Sequence, residues 1–219
     1  MCSSSDKIRI NRLHWPVTTL GYGQRIGIWF QGCSIQCKGC CSKDTWDDGD
    51  TKRISIDKIL KWVRQQPIEK VDGITISGGE PFDQPDGLLQ LTTQLRQIFS
   101  NTAKPVDILV YSGHPWKWIS NQHHSVLEET DIVISEPYVA AKNTAWLRGS
   151  DNQEFHILSA LGKERYSNRL TSRSMNPIQF QFENDKLWII GIPERNDLDN
   201  LVKKLSHIGI TLDDISWAR

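Results

Sequence analysis

The sequence carries no surplus of charge: 26 Lys and Arg stand against 26 Asp and Glu, for a formal net charge of zero. A nucleic-acid partner is not expected, because its footprint would show as a basic excess. Long apolar runs are missing too, and without about 18 consecutive apolar residues a helical membrane span is not expected. The opening Met1-Cys2-Ser3-Ser4-Ser5-Asp6-Lys7 lacks the apolar stretch of a secretory signal, so the expected compartment is the cytoplasm. Cysteine is scarce, 5 in 219 residues, and an odd count in a reducing compartment argues against a disulfide framework. None is needed, since a chain of this length with 38% apolar residues can bury an adequate core. Internal repeats and low-complexity linkers are absent, and a single domain over 1–219 is expected.

What cysteine there is lies concentrated. Cys33, Cys37, Cys40 and Cys41 fall within nine residues, a clustering that chance placement of small buried side chains does not predict. The spacing Cys33-x3-Cys37-x2-Cys40 brings three thiols into a tight loop, with Gly32 and Gly39 free to fold the backbone. Structural zinc usually takes four ligands in two separated pairs, and this chain has no second pair. Iron–sulfur clusters are held by cysteine thiolates, normally four. Three protein thiolates on a four-iron cluster would leave one iron open to a substrate or cofactor. Cys41 follows Cys40 directly, and neighbours point different ways, so it is read as a bystander or as lining the site in preference to a fourth ligand, with alternative ligation by it left open.

Short apolar runs bounded by turn residues mark buried strands at 26–30, 73–77, 106–111, 132–134 and 187–192. Between them run amphipathic stripes: Ile56, Ile59, Leu60 and Val63; Leu88, Leu91, Leu95 and Ile98; and, after Pro193, Leu198, Leu201, Val202 and Leu205 in a C-terminal helix over 194–207. Alternation of this kind predicts an α/β fold with mostly parallel strands. The stretch around 140–185 breaks the alternation and is expected to be an insertion. Within it, 178–182 reads as a half-exposed strand that would pair with 155–158.

Ser77-Gly78-Gly79-Glu80-Pro81 follows directly on the second buried strand. Gly-Gly there permits a backbone to approach a ligand closely, and Pro81 holds Glu80 extended. Exposed carbonyls and a carboxylate would suit an ammonium group, which has donors only. Ligand sites in parallel sheets lie at the C-terminal ends of the strands, where both this turn and the cysteine loop fall. The turn is expected to lie outside the sheet core, so that Gly79→Val would block a ligand without disturbing the fold.

With these motifs together, the chain resembles the radical S-adenosylmethionine enzymes, and most nearly their glycyl-radical activating branch. The likeness runs through Trp29-Phe30-Gln31-Gly32-Cys33, Asp44-Thr45-Trp46-Asp47, Ser77-Gly78-Gly79-Glu80-Pro81, Val110-Tyr111-Ser112-Gly113, Arg148-Gly149-Ser150 and Ile190-Gly191-Ile192-Pro193, over about 10–195. It departs at Cys41, where that branch has His, at Ser135-Glu136-Pro137, and in the extra length before Asp185. The resemblance implies a partial (β/α) barrel in which Cys33, Cys37 and Cys40 ligate a 4Fe–4S cluster. S-adenosylmethionine would sit on the open iron, along Gly78, Gly79 and Glu80, with Gly39 and Cys41 beside the last ligand and Ser112 at the ribose. It implies an external one-electron donor, flavodoxin-like or similar, and a large glycyl-radical reductase as substrate. A small enzyme acting on a peptide or metabolite is the second reading, and a non-catalytic iron–sulfur carrier the third. Trp116 and Trp118 are read as residues that could dock a partner.

Overall fold

The computed structural model describes residues 7–49, 53–168, 176–184, 186–213 and 215–218. In chain order the elements are β1 (Lys7–Val17), β2 (Arg25–Phe30), β3 (Arg53–Ser55), α1 (Ile56–Arg64), β4 (Gly73–Gly78), α2 (Pro85–Phe99), β5 (Asp107–Tyr111), α3 (Trp116–Gln122), α4 (His124–Glu128), β6 (Ile132–Ser135), β7 (Glu154–Ile157), α5 (Ala160–Tyr166), β8 (Ile178–Glu183), β9 (Lys186–Gly191) and α6 (Asp197–His207). Strands β3-β1-β2-β4-β5-β6-β7 form one sheet in that order. The central β2, β4, β5 and β6 run parallel, as the apolar runs predict. Antiparallel strands flank them, β1 with β3 on one side and β7 on the other.

Every residue of β2 is buried, because both faces of the sheet centre are covered. The α1 stripe of Ile56, Ile59, Leu60 and Val63 is buried as its spacing requires, and Ser55 in extended conformation starts the helix. In α2, Leu88, Leu91 and Leu95 are buried, and Phe99 takes the place expected of Ile98. The two helices cover one face in a single cluster with Ile26, Ile28, Ile74, Ile76 and Val110. Each such side chain contributes about 1.5–3 kcal/mol by leaving water.

The floor of the sheet holds a charge network that the sequence reading missed. Arg25, Gly73 and Asp107 open β2, β4 and β5, and the register pairs Arg25 with Gly73 and Gly73 with Asp107. With no side chain at Gly73, the guanidinium crosses to Asp107 in a bidentate pair of 2.7 and 3.1 Å. It also donates to Thr75 Oγ1 at 2.6 Å and to the Ile74 carbonyl at 2.7 Å. Arg165 and the Tyr166 hydroxyl complete the carboxylate at 2.6 and 3.1 Å. Both side chains of the central pair are fully buried.

The expected partner of 178–182 is corrected by the register. β8 pairs with β9 from Ile178↔Gly191 to Glu183↔Lys186, while β7 pairs with β6. The reason is local: Asn184 adopts φ +47°, the left-handed conformation that closes a short hairpin, and Asn tolerates it. β9 therefore lies in a separate two-stranded ribbon and not in the main sheet. The Gln179 side chain fastens this ribbon to the end of β1, accepting from Thr18 N at 3.0 Å and donating to Pro16 O at 2.8 Å.

Candidate functional site

A cavity of about 1080 Å³ opens where β2, β4 and β5 end. Cys33, Cys37, Gly39, Cys40, Cys41, Gly78, Gly79, Glu80 and Ser112 all line it, so the residues singled out in sequence converge on one place. They do so because β2 and β4 are adjacent and parallel, which delivers the cysteine loop and the Gly-Gly turn to the same edge. Opposite them the wall is built by β9 and the chain that follows it, including Trp188, Ile190, Ile192 and Arg195.

The loop is tied to the turn by main-chain hydrogen bonds. Gly79 N donates to Phe30 O at 2.9 Å, Glu80 N to Gly32 O at 2.8 Å, Gly32 N to Thr45 O at 2.8 Å and Cys33 N to Trp46 O at 3.2 Å. Gly79 is required by this contact: a Cβ there would stand 2.0 Å from the Gly32 carbonyl oxygen and 2.9 Å from that of Thr45. Gly78, at φ +106°, faces the Phe30 backbone just as closely. The expectation that the turn lies apart from the fold is thereby overturned, because the glycines seat the cysteine loop itself.

Cys33, Cys37 and Cys40 are free and half-buried, and Cys41 is exposed. Among the described residues, no three His, Cys, Asp or Glu side chains converge tightly enough for one metal ion. The donor set fits an iron–sulfur cluster. Ser42 N donates to Cys40 Sγ at 3.3 Å, and backbone N–H groups of Ile35 and Gln36 serve Cys33, as Tyr138 serves Cys37. Burial pushes the Cys33 and Cys37 thiols up, and together with the neighbouring Cys41 pushes Cys40 up to about 12. Without a cation these sulfurs stay protonated near neutral pH, so metal loading must release protons.

Glu80 and Ser112 are joined to each other at the cavity. Glu80 is almost fully buried, and its carboxylate accepts from Phe82 N (2.9 Å), Ser112 Oγ (2.9 Å) and Gly113 N (2.8 Å). Ser112 Oγ in turn accepts from His114 N at 3.0 Å. The pair is a brace between the β4 and β5 turns, with three acceptor positions of the carboxylate taken by donors of the same chain. The neighbouring Asp83 accepts from Ser34 N (2.7 Å) and Ser34 Oγ (2.8 Å), pinning the loop one residue past Cys33. Trp116 and Trp118 are occupied internally, stacked on His156 and His114 with ring centroids 3.8 and 4.0 Å apart.

Burial raises the Glu80 carboxyl from 4.5 to about 7, against the pull of its three donors. The folded protein then holds a proton that the unfolded chain releases above pH 4.5. This group's stabilisation is complete below about 4.5 and is lost as pH rises through 7. The apoprotein is expected to lose on the order of 3 kcal/mol across that window relative to Glu80→Gln, whose amide does not titrate. Urea unfolding of both proteins at pH 5 and pH 8 checks this; parallel pH profiles would show that the carboxyl stays ionised.

The pyruvate formate-lyase-activating enzyme of Clostridium pasteurianum is 24% identical over 193 residues, 86% of this chain and 70% of that enzyme. The anaerobic ribonucleoside-triphosphate reductase-activating protein of Vibrio cholerae is 27% identical over 150 residues, 65% of this chain and 94% of that protein. Among solved structures, QueE from Escherichia coli aligns over 52% of this chain and 58% of its own, with 21% identity and a TM-score of 0.41. The family model described as a 4Fe-4S single cluster domain matches residues 19–156. That span is more than half of the chain and contains the cysteine loop, the Gly-Gly turn and the Glu80–Ser112 brace, and the chain accordingly belongs to the 4Fe–4S single cluster domain family.

Proposed function

We propose that this chain is a radical S-adenosylmethionine enzyme that activates a glycyl-radical reductase, with residues 1–219 as one catalytic unit. Cys33, Cys37 and Cys40 hold three irons of a 4Fe–4S cluster, and S-adenosylmethionine takes the fourth. When bound and reduced by one electron, the cluster would cleave S-adenosylmethionine into methionine and a 5′-deoxyadenosyl radical, which would take a hydrogen atom from the substrate. The observation that carries the reading is the convergence of the thiol triplet and the side-chain-free Gly78-Gly79 backbone on one cavity.

The chain's own residues position and shield. Gly79 lets the loop close on the turn, and both Gly78 and Gly79 line the cavity beside it. The Glu80–Ser112–Gly113 brace fixes the distance between two strand ends. Trp188, Ile190 and Ile192 wall the far side and limit water, which a carbon radical requires. An electron carrier has no use for an open space of this size beside its cluster.

The two relatives are named as activating proteins, and the substrate proposed here is of the same kind: a backbone glycine of a large reductase. A glycine suits the chemistry, since flanking amides delocalise its radical and no side chain hinders approach. A flavodoxin-like donor supplies the electron, and the enzyme works in the cytoplasm. One observation favours the second reading, a small enzyme acting on a peptide or metabolite: β9 walls the cavity from outside the family span of 19–156. Electron paramagnetic resonance on an anaerobic mixture of this protein, reductant, S-adenosylmethionine and the reductase of the same genome decides between them. A glycyl doublet on the reductase is expected. Its absence, with cofactor turnover stimulated by a peptide or metabolite, would establish the second reading.

A further inference from the structure

Arg12 of β1 joins three parts of the molecule that are otherwise separate in sequence. Its guanidinium forms an ion pair with Asp44, in the turn that follows the cysteine loop. Its Nε donates to Asn11 Oδ1 at 2.8 Å, and Asn11 Nδ2 reaches Gln31 Oε1 at 2.7 Å at the base of the same loop. The guanidinium carbon Cζ lies over the Trp188 ring of β9, 4.3 Å from its centroid, and over the Trp29 ring of β2 at 5.9 Å. Asn11, Arg12, Asp44, Trp29 and Trp188 all line the cavity.

Two orphan atoms single out this corner. Among the described residues, Asp44 Oδ1 and Trp188 Nε1 are buried without a hydrogen-bond partner. The indole thus meets the cation through its π face, and the Asp44 carboxylate is held through the one oxygen that Arg12 takes, while the Asp44 carbonyl accepts from Gln31 Nε2 at 3.2 Å. A planar guanidinium can accept an aromatic ring on its face while its edge holds a carboxylate, which a lysine ammonium cannot do. One side chain therefore bonds the wall of the cavity and the loop that carries the thiols.

We propose that Arg12 is a positioning residue that locks the β8–β9 ribbon onto the cysteine loop, so that the cavity closes only over a loop in its cluster-holding shape. The inference rests on the proposed function for its purpose, but the lock itself is a property of the apoprotein. Coupling of this kind is reciprocal: what orders the loop steadies the ribbon, and what steadies the ribbon orders the loop.

Amide hydrogen exchange read by mass spectrometry on the full-length apoprotein tests it. Arg12→Ala is expected to speed exchange about fivefold in both 42–46 and 186–191, while α1 and β4 keep their rates. Arg12→Lys keeps the charge beside Asp44 and should speed the ribbon most, with a smaller rise in 42–46 that follows from the reciprocal coupling. Trp188→Leu, which leaves the ion pair intact, should do the same and serves if Arg12→Ala does not fold. With iron and sulfide loaded, ribbon exchange should slow in the wild type and not in Arg12→Lys. Wild-type ribbon rates in both Arg12→Lys and Trp188→Leu would overturn the lock. Failure of the wild type to load iron would instead count against the proposed function and leave the apoprotein comparison to decide the lock.

Discussion

Replacing Gly79 by alanine is expected to unseat the cysteine loop and with it the capacity to hold iron. The added Cβ would lie 2.0 Å from the Gly32 carbonyl oxygen, which also accepts the Glu80 N–H. Backbone on both sides must shift, and the bonds Glu80 N to Gly32 O and Gly32 N to Thr45 O are strained together. Two hydrogen bonds and the crowding together cost about 2–4 kcal/mol. Urea unfolding should show that loss, and anaerobic reconstitution should recover little iron. Alanine at 79 with wild-type stability and full iron would show that the loop is seated by other contacts.

The second large effect is expected at the opposite end of the sheet. Asp107→Ala leaves Arg25 fully buried without its carboxylate and deprives Arg165 and Tyr166 of the same acceptor. An uncompensated buried charge typically costs about 3–5 kcal/mol. Arg25→Met should cost less, because Asp107 keeps Arg165 and the Tyr166 hydroxyl. The order of the two midpoints in urea is the reading to take. Equal losses, or losses under about 1 kcal/mol, would mean that water reaches the pair.

This network also shows where sequence reading stops. Arg25 and Asp107 are 82 positions apart and carry no local pattern, so only the parallel register reveals that they share the sheet floor. β1 went unread because Arg9, Asn11, Arg12 and His14 dilute its apolar residues and register shifts interrupt its alternation. The central strands and the helix faces were legible because burial on both sides, or on one stripe, writes itself into composition. Asn184-Asp185 between the alternating 178–182 and the apolar run 187–192 was a turn signal that would have given β8 its correct partner.

The site was legible in place but not in detail. Cysteine spacing and the Gly-Gly turn located the cavity, since topology delivers strand ends to one edge. Spacing says nothing about where a carboxylate points, and Glu80 turns inward to three donors of its own chain. Nor does it say what a glycine faces: Gly79 meets protein backbone before it meets any ligand.

The central claim is that Cys33, Cys37 and Cys40 hold a cluster that cleaves S-adenosylmethionine. Release of 5′-deoxyadenosine by the anaerobically reconstituted, reduced protein tests it most directly, measured beside the four single Cys→Ala variants at 33, 37, 40 and 41. The account predicts release from the wild type and from Cys41→Ala, and none from the other three, which should also lack the roughly four irons per chain of the intact cluster. Release that survives loss of Cys33, Cys37 or Cys40, or a wild type that binds zinc and releases nothing, would contradict it.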